Sequence, residues 1–171
     1  MTPAASIEEP RQLFLHRLRT MLWVESTLAQ EILPGLRSRV HAVELRQGLE
    51  RHQLETEGHV ENLRRVFRLL AEPPDAEPSA ALLGLKAEHD LVLERLDGEP
   101  SDLADLVYAD TIARNEHAEI AAYSGLYHLA RALGEHEVAA LLRENLEQEE
   151  HALEQAEHAL ARLLAETVER A

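Results

Sequence analysis

Cysteine is absent from this chain of 171 residues, which excludes disulfides, thiolate catalysis, iron–sulfur clusters and zinc-ribbon sites. Basic residues are scarce: 17 Lys and Arg stand against 32 Asp and Glu, so the formal net charge is −15. Nucleic acids and anionic membranes bind basic surfaces, so we expect neither as a partner. No apolar run reaches the ~18 residues of a transmembrane helix. The N-terminus, MTPAASIEEP, lacks the features of a secretory signal, so we expect a cytoplasmic protein.

Aromatic residues (4%) and glycines (7) are also few, so leucine and alanine must fill the core. A chain dominated by Leu, Ala, Glu and Arg is typical of long helices. Apolar residues recur at spacings of three and four, and no stretch alternates as a strand does, so we expect no β-structure. The length favours one domain over residues 10–170, preceded by a flexible N-terminus over residues 1–9.

Three breakers divide the chain. The strongest is the proline-rich segment 72–79, and the second is 98–101, where Ser101 is expected to cap a helix. The third is Gly134, which has the position of a glycine just after the end of a helix. The pattern therefore predicts separate helices between these points.

Four long helices and one short helix fit between the breakers. The long helices are predicted over residues 10–40, 43–70, 101–133 and 135–169, and the short one over residues 80–97. Pro34 leaves two alternatives open, because a proline either ends a helix or kinks one that continues. Two antiparallel pairs, joined by a crossover that holds the short helix, predict an all-α fold: a ferritin-like antiparallel four-helix bundle.

Each long helix has a core-facing stripe of apolar residues that polar side chains interrupt near its middle. These side chains are Glu25 in the first helix, His52, Thr56 and His59 in the second, Glu116 and Glu119 in the third, and Glu149 in the fourth. An isolated buried carboxylate costs on the order of several kcal/mol, so each one needs a partner or a proton. If the helices turn near residues 41 and 134, the interruptions fall in one layer of the core.

Converging carboxylates in a dry core need positive charge, and the stripes contain no arginine or lysine. Oxygen ligands with imidazole suit iron or manganese, and known helix-bundle sites bind two such ions through glutamates and histidines of facing helices. A spacing of three residues places two ligands on one helix face. The sequence therefore predicts a di-iron or di-manganese centre whose ligands are Glu25, His59, Glu116, Glu119 and Glu149.

Four stretches carry a family resemblance that covers residues 11 to 165. They are His52–Glu61 (HQLETEGHVE), Gly84–Glu88 (GLKAE), Asn115–Tyr123 (NEHAEIAAY) and Leu146–Glu150 (LEQEE). Together they resemble the bacterial YciF-like stress-protein family, a branch of the ferritin/rubrerythrin superfamily. The resemblance implies a first helix that continues past Pro34, and a homodimer induced under stress.

Beside rubrerythrin-like di-iron sites, the resemblance implies the same five ligands. Two further ligands of such sites are replaced here, a glutamate by Thr56 and a histidine by Ala152. Either His52 or Glu55, each within a turn of Thr56, acts as a substitute, or one ion binds weakly or not at all. The two replacements weaken the prediction of a di-metal site more than they weaken the prediction of the fold.

Three functions compete. The first is a stress-response protein that oxidises Fe(II) or consumes peroxide at the di-metal centre. The second is a metal-free structural or stress-protective binding protein whose buried polar layer fixes the register of the helices. The third, iron storage in a 24-subunit cage, ranks last because the chain lacks the extra C-terminal helix of classical cages.

Five of the other histidines are expected to be solvated, and Tyr123 is expected to pack in the core. His41, His89, His128, His136 and His158 are expected at the surface. Tyr123 lies one turn beyond Glu119, and core packing is favoured over a role as a hydrogen-bond donor to the site or as a redox residue. The predicted ligands are thus the main functional expectation.

Overall fold

Helices form almost all of the chain that the structure describes. The computed structural model describes residues 6–96 and 102–169. Within these ranges it contains helices and no β-strand, which confirms the all-α prediction. The elements are α1 (Pro10–Thr27), a π-helical turn (Leu28–Ile32), α2 (Leu33–Arg39), α3 (Val43–Leu69), α4 (Ala80–Leu93), α5 (Asp102–Ala132) and α6 (His136–Glu169). Over this part of the chain, no helix has the length and apolarity needed to cross a membrane.

The predicted helices agree with the observed ones to within a few residues. The largest difference is at the short helix α4, which ends at Leu93 instead of near residue 97. The predicted breaker at 98–101, with its cap at Ser101, lies outside the described residues. So do residues 1–5 of the predicted N-terminal segment.

The first helix continues through Pro34 because the helix widens ahead of it. The Leu33 N–H donates to the Leu28 carbonyl, five residues back, instead of to the carbonyl four residues back. Proline lacks an N–H, and its ring clashes with the carbonyl four residues earlier in a regular α-helix. A π-helical turn changes the hydrogen bonding at this point. The structure thus selects the continuing helix over the alternative that ends at Leu33.

The reversal at Gly134 sets which residues of α5 and α6 lie opposite each other. Gly134 has φ +78°, a left-handed conformation that glycine adopts without strain. The Glu135 N–H donates to the Ala130 carbonyl at 2.9 Å, and the Glu135 carbonyl accepts from the Ala139 N–H at 2.9 Å. Only three residues, 133–135, therefore separate α5 from α6, close to the reversal that the sequence predicts at Gly134.

Four of the helices enclose the core. Helix α6 lies against α3 and α5, and α1 also lies against α3 and α5. Helix α4 packs on α5. Because α1, α3, α5 and α6 each present a stripe to this core, the polar interruptions of the four stripes all point into it.

Asp105 connects the start of α5 to the start of α3. The sequence places Asp105 in the first turn of α5, where the helix dipole favours a negative charge. In the structure its carboxylate is buried and accepts hydrogen bonds from the His41 N–H at 3.0 Å and the Ala42 N–H at 2.6 Å. Asp105 therefore satisfies backbone donors at the N-terminus of α3, a contact that local sequence does not reveal.

The prediction that His89 lies at the surface is wrong. Its side chain is buried between α4 and α5, where Nδ1 lies 2.8 Å from Thr111 Oγ1. The Thr111 hydroxyl already donates to the Val107 carbonyl, so it accepts from His89. His89 also packs on the ring of Tyr108, 5.4 Å between centroids. The short helix α4 covers α5 on this side, and its own periodicity does not reveal which face is covered.

Candidate metal centre

Six polar side chains from α1, α3, α5 and α6 meet in the middle of the core. Their donor atoms form two groups, and within each group the atoms lie within 4.8 Å of one another. One group is His52, Glu116, Glu119 and Glu149, and the other is Glu25, His59 and Glu149. All six residues are buried. Because Glu149 belongs to both groups, the two groups form one continuous site.

The five predicted ligands therefore come together, and His52, one of the two candidate substitutes, joins them. Glu55, the other candidate substitute, does not. It lies on the opposite side of the His52 ring, where its Oε2 is 3.7 Å from Nδ1. The Nε2 atom of His52 lies 3.2 Å from Glu116 Oε1. His52 thus stands between the buried layer and Glu55, whose side chain is 37% exposed.

His59 has one ring nitrogen in the site and one outside it. Its Nδ1 lies 2.9 Å from Glu149 Oε1 and 3.3 Å from Glu25 Oε1. Its Nε2 lies 2.9 Å from Gln148 Oε1. An amide oxygen only accepts hydrogen bonds, so Nε2 carries a proton and donates it. This contact orients the ring and directs Nδ1 at the two carboxylates.

Burial raises the pKa of three of the glutamates. Burial raises the pKa of Glu119 well above its ordinary value, and the nearby charges of Glu149 and Glu25 raise it further. Burial also raises the pKa of Glu116 to about 8, although the charge of His52 opposes the shift. Burial is the main cause that raises the pKa of Glu25. Crowded carboxylates in a dry environment cannot all be ionised.

At Glu149 and at the two histidines, by contrast, the pKa shifts favour the charged form of the side chain. Burial raises the pKa of Glu149, but the adjacent imidazole of His59 outweighs it, so this pKa is lowered. Burial lowers the pKa of His59, yet Glu149 and Glu25 raise it to about 10. Burial lowers the pKa of His52 as well, but Glu116 outweighs this effect, so the pKa of His52 is raised well above its ordinary value. Without metal, the imidazolium form of His59 supplies positive charge to the layer.

Many buried polar atoms of this layer lack a hydrogen-bond partner. They are Glu25 Oε2, Glu116 Oε2, Glu119 Oε1, both oxygens of Glu149, both ring nitrogens of His52 and Nδ1 of His59. The ring nitrogens lie near carboxylates but without hydrogen-bond geometry. Native proteins satisfy nearly all buried polar atoms, so such a concentration needs an explanation. Oxygen and imidazole donors at these separations fit a metal ion.

Thr56 and Ala152, at the positions of the two replaced ligands, add no donor to the site. The Thr56 hydroxyl donates to the His52 carbonyl within α3 at 2.8 Å, so it is directed along its own helix. Ala152 is buried and carries no polar atom. His52 is the residue of α3 that supplies a donor in their place.

Sequence reasoning did not identify three amides that support the site. Gln148 contacts His59 as described, and Asn115 Nδ2 donates to Glu119 Oε2 at 2.6 Å. Asn145 is fully buried and donates to the Tyr123 hydroxyl at 2.9 Å. A signal exists for both asparagines, because each lies four residues before a glutamate of a core stripe. Gln148 has no such signal.

Two cavities lead from the surface to the site. A cleft of about 660 Å³ between α3 and α6 reaches His52, Glu116 and Ala152. A cavity of about 470 Å³ on the other side, lined by α1, α4 and α5, reaches Asn115 and Glu119. Solutes can therefore approach the buried layer from two directions.

Comparison with known proteins gives consistent results. A family model described as a domain of unknown function, DUF892, matches residues 9–170. The structure of the Escherichia coli stress protein YciF superposes with a TM-score of 0.85 and 25% identity, over 93% of this chain and 99% of that one. YcfI from Rhodopseudomonas palustris gives a TM-score of 0.84 and 28% identity, over 90% and 96%. A Xanthomonas campestris protein gives 0.72 and 25%, over 95% and 98%. Among curated proteins no match was found.

Proposed function

This chain belongs to the DUF892 family, and on that premise we propose that it is a stress-response protein whose core holds two iron or manganese ions. The family match and the similarity to YciF confirm the resemblance to YciF-like proteins. The proposed fold is a ferritin-like antiparallel four-helix bundle, with α4 in the crossover between the two helix pairs. The stress role is supported by the description of YciF as a stress protein.

The observation that carries the proposal is the pair of buried donor groups that share Glu149. We assign one ion to His52, Glu116, Glu119 and Glu149, and the other to Glu25, His59 and Glu149. Glu149, which belongs to both groups, would then help to hold both ions, whereas Glu119 belongs to one group. Two divalent cations supply the four positive charges that the four carboxylates require, and they give partners to the buried atoms that lack one.

The remaining residues would hold the ligands in place. Gln148 fixes the ring of His59, Asn115 holds one oxygen of Glu119, and Tyr123 donates to Glu25. Such partners orient ligands and tune the affinity of a site. Redox-active ions in this position would supply electrons to an oxidant such as dioxygen or peroxide. The corresponding activity is Fe(II) oxidation or peroxide consumption.

The alternative is a metal-free protein whose polar layer fixes the helix register. The contact between His59 Nδ1 and Glu149 Oε1, at 2.9 Å, favours it, because an imidazolium there balances a carboxylate without any metal. The replacement of two usual ligands by Thr56 and Ala152 favours it as well. The homodimer and the cytoplasmic location stay predictions under both functions.

The metal content of the purified protein separates the two functions. Protein made without a histidine tag is analysed by mass spectrometry for metals and then titrated anaerobically with Fe(II). We expect two ions per chain, and loss of both in the double variant Glu119→Gln/Glu149→Gln. The matched control is Glu147→Gln/Glu150→Gln, whose positions on α6 are exposed. A count near zero for the folded wild-type protein under excess Fe(II) would establish the metal-free alternative.

A further inference from the structure

We propose that divalent cations reach the core through the cleft between α3 and α6, and that Glu55 and His52 form a transit site on this route. The proposal rests on the proposed metal centre and adds to it a path and two positions along that path. It concerns uptake of the cation, not its final coordination.

The cleft extends from exposed carboxylates and histidines to the buried layer. Its volume of about 660 Å³ admits a hydrated cation, and its inner end is formed by His52, Glu116 and Ala152. A histidine side chain at position 152 would fill part of this inner end, whereas the methyl group of alanine leaves it open. The replacement that removes a ligand from the centre therefore also widens the approach to it.

His52 links the cleft to the centre through its two ring nitrogens. Nδ1 lies 3.7 Å from Glu55 Oε2 on the cleft side, and Nε2 lies 3.2 Å from Glu116 Oε1 on the core side. The residue is 7% exposed, and both ring nitrogens lack a hydrogen-bond partner. A cation held between Glu55 and His52 would thus be one imidazole ring away from Glu116.

The mouth of the cleft carries further cation ligands. His151 lies with Nδ1 3.8 Å from Glu154 Oε2, and both residues are exposed and line the cleft. The two arginines of the cleft contact other residues of its lining: Arg51 donates to Gln155 Oε1 at 2.9 Å, and Arg162 forms an ion pair with Glu44. The Glu55 carboxylate contacts His52.

The second cavity has a different chemistry. Among the described residues that line it, Glu119 is the only acid, and His16 and Arg17 lie on its walls among mostly apolar side chains. Such walls offer a cation few ligands and little negative charge. The cavity beside α4 therefore suits an uncharged solute, and the cleft between α3 and α6 suits a cation.

The rate and the extent of metal binding test the route and the centre separately. Metal-free protein is mixed with Co(II) in a stopped-flow instrument, the growth of the visible Co(II) absorbance gives the rate, and equilibrium dialysis gives the final count per chain. We expect Glu55→Ala to slow uptake by about threefold to tenfold, since one charge at a cleft entrance changes association rates on this scale, and to leave the count unchanged. The matched control is Glu57→Ala, an exposed glutamate of α3 that does not line the cleft.

A second pair of variants compares the two openings. Ala152→Leu narrows the cleft, and Ala118→Leu narrows the cavity beside Glu119. We expect slower uptake only in Ala152→Leu. If Ala152→Leu also changes the final number of ions per chain, the uptake rate of Glu55→Ala is the test of the route. Two results would overturn the route and leave the centre standing. One is that Glu55→Ala takes up Co(II) as fast as Glu57→Ala does, and the other is that Ala118→Leu alone slows uptake. A final count near zero in the wild-type protein would overturn the centre and the route together.

Discussion

The hydroxyl of Tyr123 donates a hydrogen bond to Glu25 Oε1 and joins α5 to α1 inside the core. The same hydroxyl accepts from Asn145 Nδ2 at 2.9 Å, and Asn145 Oδ1 accepts from Asn62 Nδ2 at 2.8 Å. Burial, and next the charge of Glu25, raises the pKa of Tyr123 well above its ordinary value, so the phenol remains a donor. One chain of hydrogen bonds therefore crosses α3, α6, α5 and α1 beside the candidate centre.

Tyr123→Phe tests this chain. Removal of the hydroxyl takes a buried hydrogen-bond partner from Glu25 and one from Asn145, so we expect the free energy of unfolding to fall by about 1–3 kcal/mol. Urea denaturation followed by circular dichroism measures it. The control is Tyr127→Phe, because the Tyr127 hydroxyl accepts an exposed hydrogen bond from Arg131 at 3.3 Å; there we expect a change within about 0.5 kcal/mol. Equal losses in the two variants would contradict a special role of Tyr123.

Gln148→Leu tests how His59 is oriented. The variant removes the acceptor that holds Nε2, 2.9 Å away, so the ring loses its fixed orientation toward Glu25 and Glu149. We expect the affinity for Mn(II) to fall by about 10–100-fold, the usual cost of losing such a partner. Isothermal titration calorimetry measures the dissociation constant for Mn(II). Glu150→Gln, an exposed change on the same helix, serves as control, and an unchanged affinity in Gln148→Leu would argue against the orienting contact.

The stability of the metal-free protein depends on pH through Glu116 and His59. In the folded protein the pKa of Glu116 is raised to about 8 by burial, so its stabilising contribution is present below its ordinary value of 4.5 and is lost as pH rises through about 8. The pKa of His59 is raised to about 10, so its contribution is present below 6.5 and is lost as pH rises through about 10. With a chelator present, we expect the melting temperature to fall as pH rises across this window.

Two comparisons check this pH dependence. Glu116→Gln is expected to flatten the lower part of the decline, since an amide does not titrate, whereas the exposed control Glu147→Gln is expected to keep it. Excess Mn(II) is expected to stabilise the protein more strongly at higher pH, because its ligands must lose their protons to bind a metal. A melting temperature that rises with pH in the metal-free protein would contradict the raised pKa values of the layer.

Asp105→Asn tests the connection between α5 and α3. The carboxylate accepts two backbone N–H groups, from His41 at 3.0 Å and Ala42 at 2.6 Å, and an amide turns one acceptor into a donor. We expect a loss of about 2 kcal/mol in the free energy of unfolding, typical of a buried charge-assisted contact. Thermal and urea unfolding measure it against Asp110→Asn, an exposed aspartate of the same helix. A loss no greater than in the control would mean that this cap contributes little.

The site could be predicted in part because periodicity determines which face of a helix is buried. Glu25, Glu116 and Glu149 interrupt apolar stripes, and each is at most 1% exposed in the structure. The turn at Gly134 then fixes the level of Glu119 against Glu149, since each residue of a helix advances it by a constant distance. Neither step requires knowledge of contacts between distant residues.

Side-chain partners across helices could not be predicted in this way. The two rings His52 and His59 occupy similar stripe positions, but packing turns one toward Glu55 and Glu116 and ties the other to Gln148. Such differences depend on the rotation of each helix about its axis and on the rotamer that the neighbours allow. A stripe in the sequence carries neither quantity.

The sequence by itself thus determined the helical class, the approximate helix boundaries and the polar layer in the core, because these depend on local spacing. Only the tertiary structure decided that α4 buries His89, that Asp105 caps the start of α3, and that the donor atoms divide into two groups sharing Glu149. The physical reason is the same in each case. Local periodicity specifies a face, whereas a contact between distant residues is specified by how the faces pack.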